Sequence, residues 1–243
     1  MNNDEISHKL PHNLSHNLSW GKFISFEGGE GTGKSTQVKT LQDKLRAKGI
    51  DVILTREPGG APGAEEIRAL LLTGDPEKWV PMTEVLLFYA ARVDHLQRTI
   101  WPALKAGKWV ITDRYADSTF AYQGAGHGIG ASIIQEIHRI TTDSFWPDMT
   151  ILLDADPKEG LLRANNREAE ISENLREDRF EKMAGSYHQR LRKAFLEIAA
   201  ENPDRFHVIP AAGSVDSVAR RIWQQVTATY GAIIDQFQET NAR

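Results

Sequence analysis

The residues best suited to chemistry lie in one glycine-rich stretch, 28-GGEGTGKS-35, between a predicted strand and a predicted helix. Its spacing fits G-x-x-x-x-G-K-[ST], the phosphate-binding loop (P-loop) pattern. Glycines let backbone N–H groups turn inward around phosphate oxygens at a helix N-terminus, where the helix dipole also favours negative charge. Lys34 would reach the β- and γ-phosphates, and the Ser35 hydroxyl would ligate Mg²⁺. We expect the nucleoside triphosphate to be bound by Gly28, Gly29, Glu30, Gly31, Thr32, Gly33, Lys34, Ser35 and Thr36.

A second candidate is the pair Asp113 and Arg114. Asp113 ends an apolar predicted strand, the position at which a Walker B acid helps to hold Mg²⁺, directly or through water. Arg114 could pair with a phosphate in the same step. Taken alone, the pair is equally well interpreted as an ion pair within a loop, because such pairs are common. Asp154, at the end of another buried strand, is a weaker candidate for the metal.

Phe88 and Arg92 are four residues apart on a predicted helix and therefore share a face. Together they would offer a flat apolar platform beside a fork of hydrogen-bond donors. The alternative interpretation is a core phenylalanine and a surface arginine.

These residues stand in a chain of strands that alternate with helices. Short buried strands are predicted at 22–27, 51–55, 108–113, 149–154 and 206–210. Helices are predicted at 34–49, around Ile67, Leu70 and Leu71 on one side, over 83–100, in a charged stretch to about residue 200, and from Ser214 with Val218, Ile222 and Val226 inward. Parallel pairing needs a crossover, which is normally a helix. The pattern predicts an α/β fold with a five-stranded parallel sheet covered by helices on both faces.

Composition limits the classes of protein to consider. The chain has 243 residues, of which 40% are hydrophobic and 26% charged, which excludes a wholly disordered, collagenous or coiled-coil chain. A net charge of -4 provides no basic excess of the kind that nucleic-acid binders use. Cysteine is absent, so there is no disulfide, cysteine-based zinc site or cysteine nucleophile. The absence of cysteine is compatible with a reducing compartment.

The chain divides into a tail and one domain. The longest apolar runs are too short to cross a bilayer, and residues 1–19 lack the basic and apolar regions of a secretory signal. We expect residues 1–19 to form a mobile, non-catalytic tail. Residues 20–243 are expected to form a single domain.

Motifs that would specify other P-loop reactions are missing. A GTPase needs N-K-x-D and D-x-x-G elements, and a protein kinase needs H-R-D and D-F-G. A helicase or motor would normally be larger and more basic. These absences favour a small phosphotransferase that acts on a metabolite.

Several segments together resemble the thymidylate kinases, nucleoside monophosphate kinases of the P-loop NTPase fold. The segments occur in order at family-like spacing: 26-FEGGEGTGKST-36, 55-TREPGG-60, 65-EEIRALLL-72, 86-LLFYAAR-92, 113-DRYADSTFAYQG-124, 147-PDMTILLD-154 and 178-DRFE-181. The resemblance implies transfer of the ATP γ-phosphoryl group to dTMP with Mg²⁺, giving dTDP for dTTP biosynthesis. It further implies a cytoplasmic homodimer with small-molecule substrates and no nucleic-acid or membrane partner.

The resemblance also implies roles for individual residues. Glu30 would approach the dTMP sugar, and Arg68 and Arg114 would hold the dTMP phosphate. Phe88 would stack on thymine while Arg92 donates to its edge. The remaining residues implied on the dTMP side are Glu57 and Pro58, which would shape it, and Thr119, Tyr122 and Gln123, which would line the base and the sugar 2′ side.

One departure from part of the family concerns the catalytic arginine. Eukaryotic-type members carry an arginine where this chain has Gly31, so the sequence resembles the bacterial type, in which a short lid, here about 163–179, supplies that arginine. We expect Arg179 to be catalytic with Lys34, Asp113 and Arg114, because Arg179 lies in the matched D-R-F-E. The other candidates are Arg163, Arg167 and Arg176, and a solvated charged helix is the alternative interpretation of the segment.

Two further classes stay open at this point. A deoxynucleoside, adenylate or shikimate kinase would share the P-loop but not the F-x-x-x-R helix together with D-R-Y-x-x-S-T-x-x-Y-Q. A non-enzymatic nucleotide-binding switch would use its loops for a protein partner.

Overall fold

A computed structural model describes residues 20–75, 77–168, 179–180, 183 and 185–241. The predicted tail at 1–19, most of the predicted lid and Arg176 lie outside the described residues, as does the side chain of Arg167.

The five predicted strands are confirmed, each within one or two residues of its expected bounds. They are β1 (Phe23–Glu27), β2 (Val52–Arg56), β3 (Trp109–Asp113), β4 (Met149–Asp154) and β5 (Phe206–Pro210). All pair in parallel in the order β2-β3-β1-β4-β5. The central strand β1 is buried along its whole length, because helices cover both faces of the sheet.

Nine α-helices connect and cover these strands within the described residues. They are α1 (Lys34–Ala47), α2 (Pro62–Leu72), α3 (Pro81–His95), α4 (Trp101–Lys105), α5 (Ala116–Thr119), α6 (Ala131–Thr142), α7 (Pro157–Glu168), α8 (Gly185–Glu201) and α9 (Val215–Asn241). π-Helical segments follow α3 at Leu96–Ile100 and α5 at Phe120–Gly126. None of the helices in the described ranges is long and apolar enough to cross a bilayer.

Helices α1 and α9 cover one face of the sheet. Val218, Ile222 and Val226 are buried there, as predicted, in one cluster with sheet residues such as Ile24 and Ile151. The helix predicted around Ile67, Leu70 and Leu71 is confirmed as α2; Leu71 is buried and Ile67 is half-buried, whereas Leu70 is 45% exposed. Helix α2 packs mainly against α3, so only the side facing α3 is covered.

The register of the sheet places the functional loops together. Phe26 of β1 pairs with Asp113 of β3 and with Ile151 of β4. Because the carboxyl ends of parallel strands meet at one edge, the loop after β1 lies beside the loop after β3. This edge is where the candidate site forms.

Candidate active site

The P-loop joins β1 to α1 through backbone conformations that only glycine readily adopts. Gly33, which precedes the first residue of α1, has φ 94°, a backbone conformation that side chains other than hydrogen disfavour. Lys34 folds back over the loop, and its Nζ donates hydrogen bonds to the carbonyls of Gly28 at 3.1 Å and Gly29 at 2.7 Å. The loop thus holds an ammonium group at the N-terminus of α1, the arrangement expected for a phosphate site.

Gly31 has no room for a side chain. A Cβ there would lie 1.9 Å from the carbonyl oxygen of Gly160 in α7, and a Cβ on Gly160 would lie 2.2 Å from the carbonyl oxygen of Glu30. The backbone of the P-loop and the first turns of α7 are therefore in direct contact. An arginine at position 31 could not be accommodated unless α7 moved.

Asp113 and Ser35 form the pair that could hold a metal. The Ser35 hydroxyl donates to Asp113 Oδ2 at 2.8 Å across the edge of the sheet. Hydroxyl and carboxylate oxygens are ligands that Mg²⁺ accepts, its other positions being taken by phosphates and water. Asp154, the weaker candidate, instead forms a bidentate ion pair with Arg192, at 2.7 and 2.9 Å. Within the described residues, no group of three or more acidic, histidine or cysteine side chains forms a metal site by itself.

Arg114 is tied to the P-loop and not to Asp113. Its Nη2 donates to Glu30 Oε1 at 3.0 Å, and its Nη1 donates to the Gly28 carbonyl at 2.9 Å and to Ser118 Oγ at 3.1 Å. The Tyr122 hydroxyl donates to the same Glu30 oxygen at 2.6 Å. The alternative of an Asp113–Arg114 ion pair is therefore not what forms, since the partner of Arg114 is Glu30.

The charges of this cluster shift one another's pKa values. Burial alone would raise the pKa of Glu30, but Arg114 and Lys34 overcome it and lower that pKa to about 2. Burial, and next the positive charge of Arg114, lower the pKa of Lys34 to about 8, although Glu30 and Asp113 oppose the change. Burial would lower the pKa of Arg114, but Tyr122 and Glu30 outweigh burial and raise that pKa. The cluster holds closely spaced cations that a bound polyphosphate would stabilise.

Phe88 and Arg92 lie on the opposite side of the same cleft. Phe88 is half-buried, with its ring centroid 6.2 Å from that of Phe180. Arg92 is only 1% exposed, so the surface-arginine interpretation is wrong. Its Nε donates to Glu57 Oε2 at 2.8 Å and its Nη2 to Thr119 Oγ1 at 3.1 Å. Its Nη1 has no hydrogen-bond partner among the described residues.

The cleft collects almost all of the predicted site residues. Its volume is about 280 Å³, and every predicted residue lines it except Gly28, Gly29 and Arg179. Gly28 and Gly29 still contact the site through their carbonyls, which accept from Lys34. Arg68, one of the predicted phosphate ligands, donates from Nη1 to the Pro58 carbonyl at 2.7 Å at the cleft wall.

Arg179, the predicted catalytic arginine, lies in a buried ion pair. Its side chain is 1% exposed and forms an ion pair with Glu84, and its Nε donates to the Asp75 carbonyl at 2.9 Å. In this position Arg179 does not line the cleft, and its role as the catalytic cation of the lid stays a prediction. Arg163 is exposed on α7 and donates to the Glu159 carbonyl at 3.2 Å, as expected for a solvated charged helix.

Several residues that support the site were not predicted from the sequence. Glu27, the last residue of β1, accepts hydrogen bonds from the Tyr115 N–H at 2.7 Å and the Ser118 hydroxyl at 2.6 Å. Burial, with a contribution from Asp117, raises the pKa of Glu27 to about 8. His95 contacts Glu57 from α3, the helix that carries Arg92, and its spacing of three residues from Arg92 is the signal that could have revealed it.

Comparisons with known proteins find one family. A family model described as thymidylate kinase matches residues 26–222. The chain is 49% identical over 206 residues to a thymidylate kinase of Ruegeria pomeroyi, covering 85% of this chain and 94% of that one. It is 48% identical over 211 residues to a thymidylate kinase of Caulobacter vibrioides, covering 87% and 98%. The solved structure of an Ehrlichia chaffeensis thymidylate kinase superposes with a TM-score of 0.68 at 32% identity, covering 85% of this chain and 99% of that one.

Proposed function

The chain belongs to the thymidylate kinase family, and from that premise we propose how the residues of its cleft divide the work of the reaction. The enzyme transfers the γ-phosphoryl group of ATP to dTMP, giving dTDP for dTTP synthesis. The observation that carries the proposal is the single cleft that runs from the P-loop to Phe88 and Arg92. It offers adjoining sites for a polyphosphate and for a nucleobase.

On the donor side, we assign the ATP phosphates to the backbone of residues 28–36 and to Lys34. Ser35 and Asp113 would hold Mg²⁺, because their oxygens already lie within hydrogen-bond distance of each other. When bound, the ion would neutralise charge on the β- and γ-phosphate oxygens. Lys34 adds a positive charge at the same place.

On the acceptor side, we assign thymine to the face of Phe88 and to Nη1 of Arg92, which has no hydrogen-bond partner in the described part of the chain. Arg68 and Arg114 would bind the dTMP phosphate, and Glu30 would accept from the sugar. Glu57 and Pro58 shape this wall, and Thr119, Tyr122 and Gln123 line the base and the sugar 2′ side.

The reaction itself needs positioning more than proton transfer. A phosphate monoester has a second pKa near 6, so dTMP is largely a dianion at neutral pH and needs no general base. Two anions must then be brought together. Arg114 and Lys34 lie at the junction of the donor and acceptor sites, where they would offset the repulsion and stabilise the transferring group.

A coupled assay of ADP release with a panel of nucleoside monophosphates tests the assignment. We expect turnover that depends on dTMP and that Lys34→Ala abolishes, while dTMP binding stays largely intact in that variant. Release that is independent of any acceptor would instead indicate a nucleotide-binding switch. A different preferred acceptor would indicate another kinase of the same fold.

The quaternary structure and the location are part of the same proposal. Exposed apolar side chains follow one face of α3 (Met82, Leu86 and Ala90), and Ile133 and Ile140 are exposed on the neighbouring α6. An apolar surface of this kind is typical of protein contacts, which supports a homodimer. We propose a cytoplasmic enzyme without a nucleic-acid or membrane partner, which cell fractionation would test.

A further inference from the structure

Behind Arg92 lies a chain of buried polar side chains that the proposed reaction does not use. It runs from Thr55 on β2 through His95 on α3 to Glu57 and then to Arg92. We propose that His95 is a positioning residue for nucleobase selection, acting on Arg92 through the carboxylate of Glu57. This inference depends on the proposed function, in which Arg92 donates to the base.

The hydrogen bonds determine which nitrogen of the imidazole donates to Glu57. His95 Nδ1 lies 3.1 Å from Glu57 Oε1, and Nε2 lies 2.5 Å from the Thr55 hydroxyl oxygen. A carboxylate that also accepts from Arg92 acts only as an acceptor, so Nδ1 must carry a proton. The Thr55 hydroxyl is then free to donate to Nε2. With the proton on Nδ1, the ring donates to Glu57 and can accept from Thr55, so both of its nitrogens are hydrogen-bonded.

This arrangement determines the plane of the Glu57 carboxylate. One oxygen accepts from Arg92 Nε at 2.8 Å, and the other accepts from His95. Without His95, a single contact would leave the carboxylate free to rotate about its last bond. The second contact therefore orients the acceptor that in turn orients the guanidinium.

Arg92 is held so that its Nη1 group remains for a ligand. Glu57 binds Nε, Thr119 accepts from Nη2, and Nη1 has no partner among the described residues. Discrimination between a ring carbonyl and a ring amino group depends on the direction of that donor. A tilt of the guanidinium would weaken the contact with the correct base.

His95 acts from behind the cleft and does not touch its contents. The ring is fully buried and does not line the cleft. Gly60, with φ 81°, lies so close that a Cβ would be 2.3 Å from His95 Nε2 and 2.4 Å from the Thr55 hydroxyl oxygen. The loop after β2 therefore encloses the imidazole. This enclosure leaves it little freedom to rotate.

The test compares kcat/KM for dTMP and for dCMP in the full chain. His95→Leu removes the donor to Glu57, and we expect KM for dTMP to rise more than kcat falls. The dTMP/dCMP ratio should shrink about tenfold, equivalent to about 1.4 kcal/mol of lost discrimination. His95→Asn should keep most of the ratio, since its amide can donate in place of Nδ1.

The matched control is His138→Leu, at a histidine that is equally buried but lies on α6. Its ring packs on Trp146, with 4.1 Å between centroids, and hydrogen-bonds Thr142 and not Glu57. We expect this variant to lose thermal stability while it keeps the parental ratio. A general loosening of the core would move both variants alike and would overturn the inference.

Arg92→Ala, measured in parallel, separates the role of His95 from that of Arg92. A ratio that collapses in Arg92→Ala but not in His95→Leu would overturn the role of His95 alone. A ratio unchanged in Arg92→Ala would overturn the proposed base recognition and the inference with it. If His95→Leu does not fold, Thr55→Val decides: it removes the donor to Nε2, and an unchanged ratio there would overturn the proposal.

Discussion

Arg92 and Glu57 are both buried, and each is costly to remove from water without the other. The ion pair lies where it can hold a donor in a fixed direction before any substrate arrives. Glu30 and Arg114 form a second such pair at the other end of the cleft. Groups fixed in advance need no reorganisation when charge develops, which is how electrostatic catalysis operates.

The substitution Arg92→Ala tests base recognition at the level of one residue. Cytosine presents an amino group where thymine presents the carbonyl at position 4, so a donor would face a donor. We expect lower kcat/KM for dTMP and a dTMP/dCMP ratio reduced by about tenfold or more, since an unsatisfied buried charged group costs about 1–3 kcal/mol. Loss of only the methyl group, in dUMP, should have a smaller effect. Steady-state kinetics with the three monophosphates measure this.

Phe88→Leu is the control for that experiment. Stacking does not distinguish the two pyrimidines, so this variant should weaken both substrates and leave their ratio nearly unchanged. An unchanged ratio in Arg92→Ala would mean that Arg92 does not read the base.

Lys34 leads to a prediction about pH. Its pKa is about 8 in the free protein, and bound phosphates would raise it because they favour the charged ammonium group. Binding of ATP between about pH 8 and 9 should therefore take up a proton, and affinity should fall as pH rises through this window. Calorimetric titration in two buffers of different ionisation enthalpy measures the uptake.

Lys34→Gln provides the control for proton uptake. Glu27, whose pKa is also about 8, is retained in that variant, so the difference between the two proteins isolates Lys34. Equal uptake in both proteins would assign the proton to Glu27 or to another group. Glu30, with a pKa of about 2, is ionised throughout and does not contribute.

At the scale of elements, helix α3 presents a stripe of functional side chains. The stripe consists, at helical spacing, of Glu84, Phe88, Arg92 and His95. Two of its residues, Arg92 and His95, contact Glu57 in the loop after β2, and Glu84 pairs with Arg179. The pair Phe88 and Arg92 could be predicted from sequence because both residues share one face. Burial of Glu84, Arg92 and His95 could not, because charged positions on a helix normally mark its solvent side. Their partners are distant in sequence.

Arg179→Ala should act on this element more than on the transferring phosphoryl group. Its loss would leave Glu84 buried without its cation, so we expect destabilisation of about 3–5 kcal/mol. KM for dTMP should rise as well, because Glu84 also accepts from Gln123 at the cleft wall, at 2.7 Å. Urea unfolding and steady-state kinetics measure the two effects.

Two further variants serve as controls for Arg179→Ala. Arg163→Ala, at an exposed position on α7, should change stability by no more than about 0.5 kcal/mol. The double substitution Glu84→Leu with Arg179→Met should recover part of the lost stability, since it removes both charges together. A fall in kcat at unchanged stability and KM would return Arg179 to the role of transition-state arginine.

For the whole molecule, the sheet was the most predictable part. Strands buried on both faces appear in sequence as short continuous apolar runs, and the P-loop fixed the first crossover. Helices α4, α5 and α6 were not predicted, and neither was the π-helical segment Phe120–Gly126. The helix predicted at 83–100 did include Leu96–Ile100, but not its π-helical geometry. The π-helical bonding depends on small shifts of backbone register that leave no period in the sequence. The exposure of Leu70 could not be predicted, because periodicity indicates an apolar side of a helix but not whether another element covers it.

Removal of residues 1–19 tests the predicted boundary of the domain. All five strands and every residue that lines the cleft lie within the part of the chain described from residue 20 onward. We expect the shortened protein to keep kcat, and to keep stability to within about 0.5 kcal/mol. Kinetics and thermal unfolding measure this. A large loss of stability would show that these residues pack on the domain.

The proposed homodimer is tested at Leu86, which is 54% exposed on the apolar face of α3. If that face is buried between two copies, Leu86→Glu places an unpaired carboxylate in an apolar contact, which is strongly unfavourable. Sedimentation velocity over a range of concentrations should then show a monomer where the parent is a dimer. Val215→Glu is the matched control, because Val215 is 51% exposed but lies at the start of α9. We expect this variant to remain a dimer.

Activity measured on the same samples links the dimer to the site. Helix α3 carries Leu86 on its exposed face and Phe88 and Arg92 toward the cleft, so loss of the partner would remove support from the helix that positions the base. We expect Leu86→Glu to raise KM for dTMP. The affinity for ATP should change little, because the P-loop is joined to α1 and not to α3. A dimer that persists in Leu86→Glu would exclude this face as the interface. A parent protein that is monomeric at every concentration would overturn the homodimer itself.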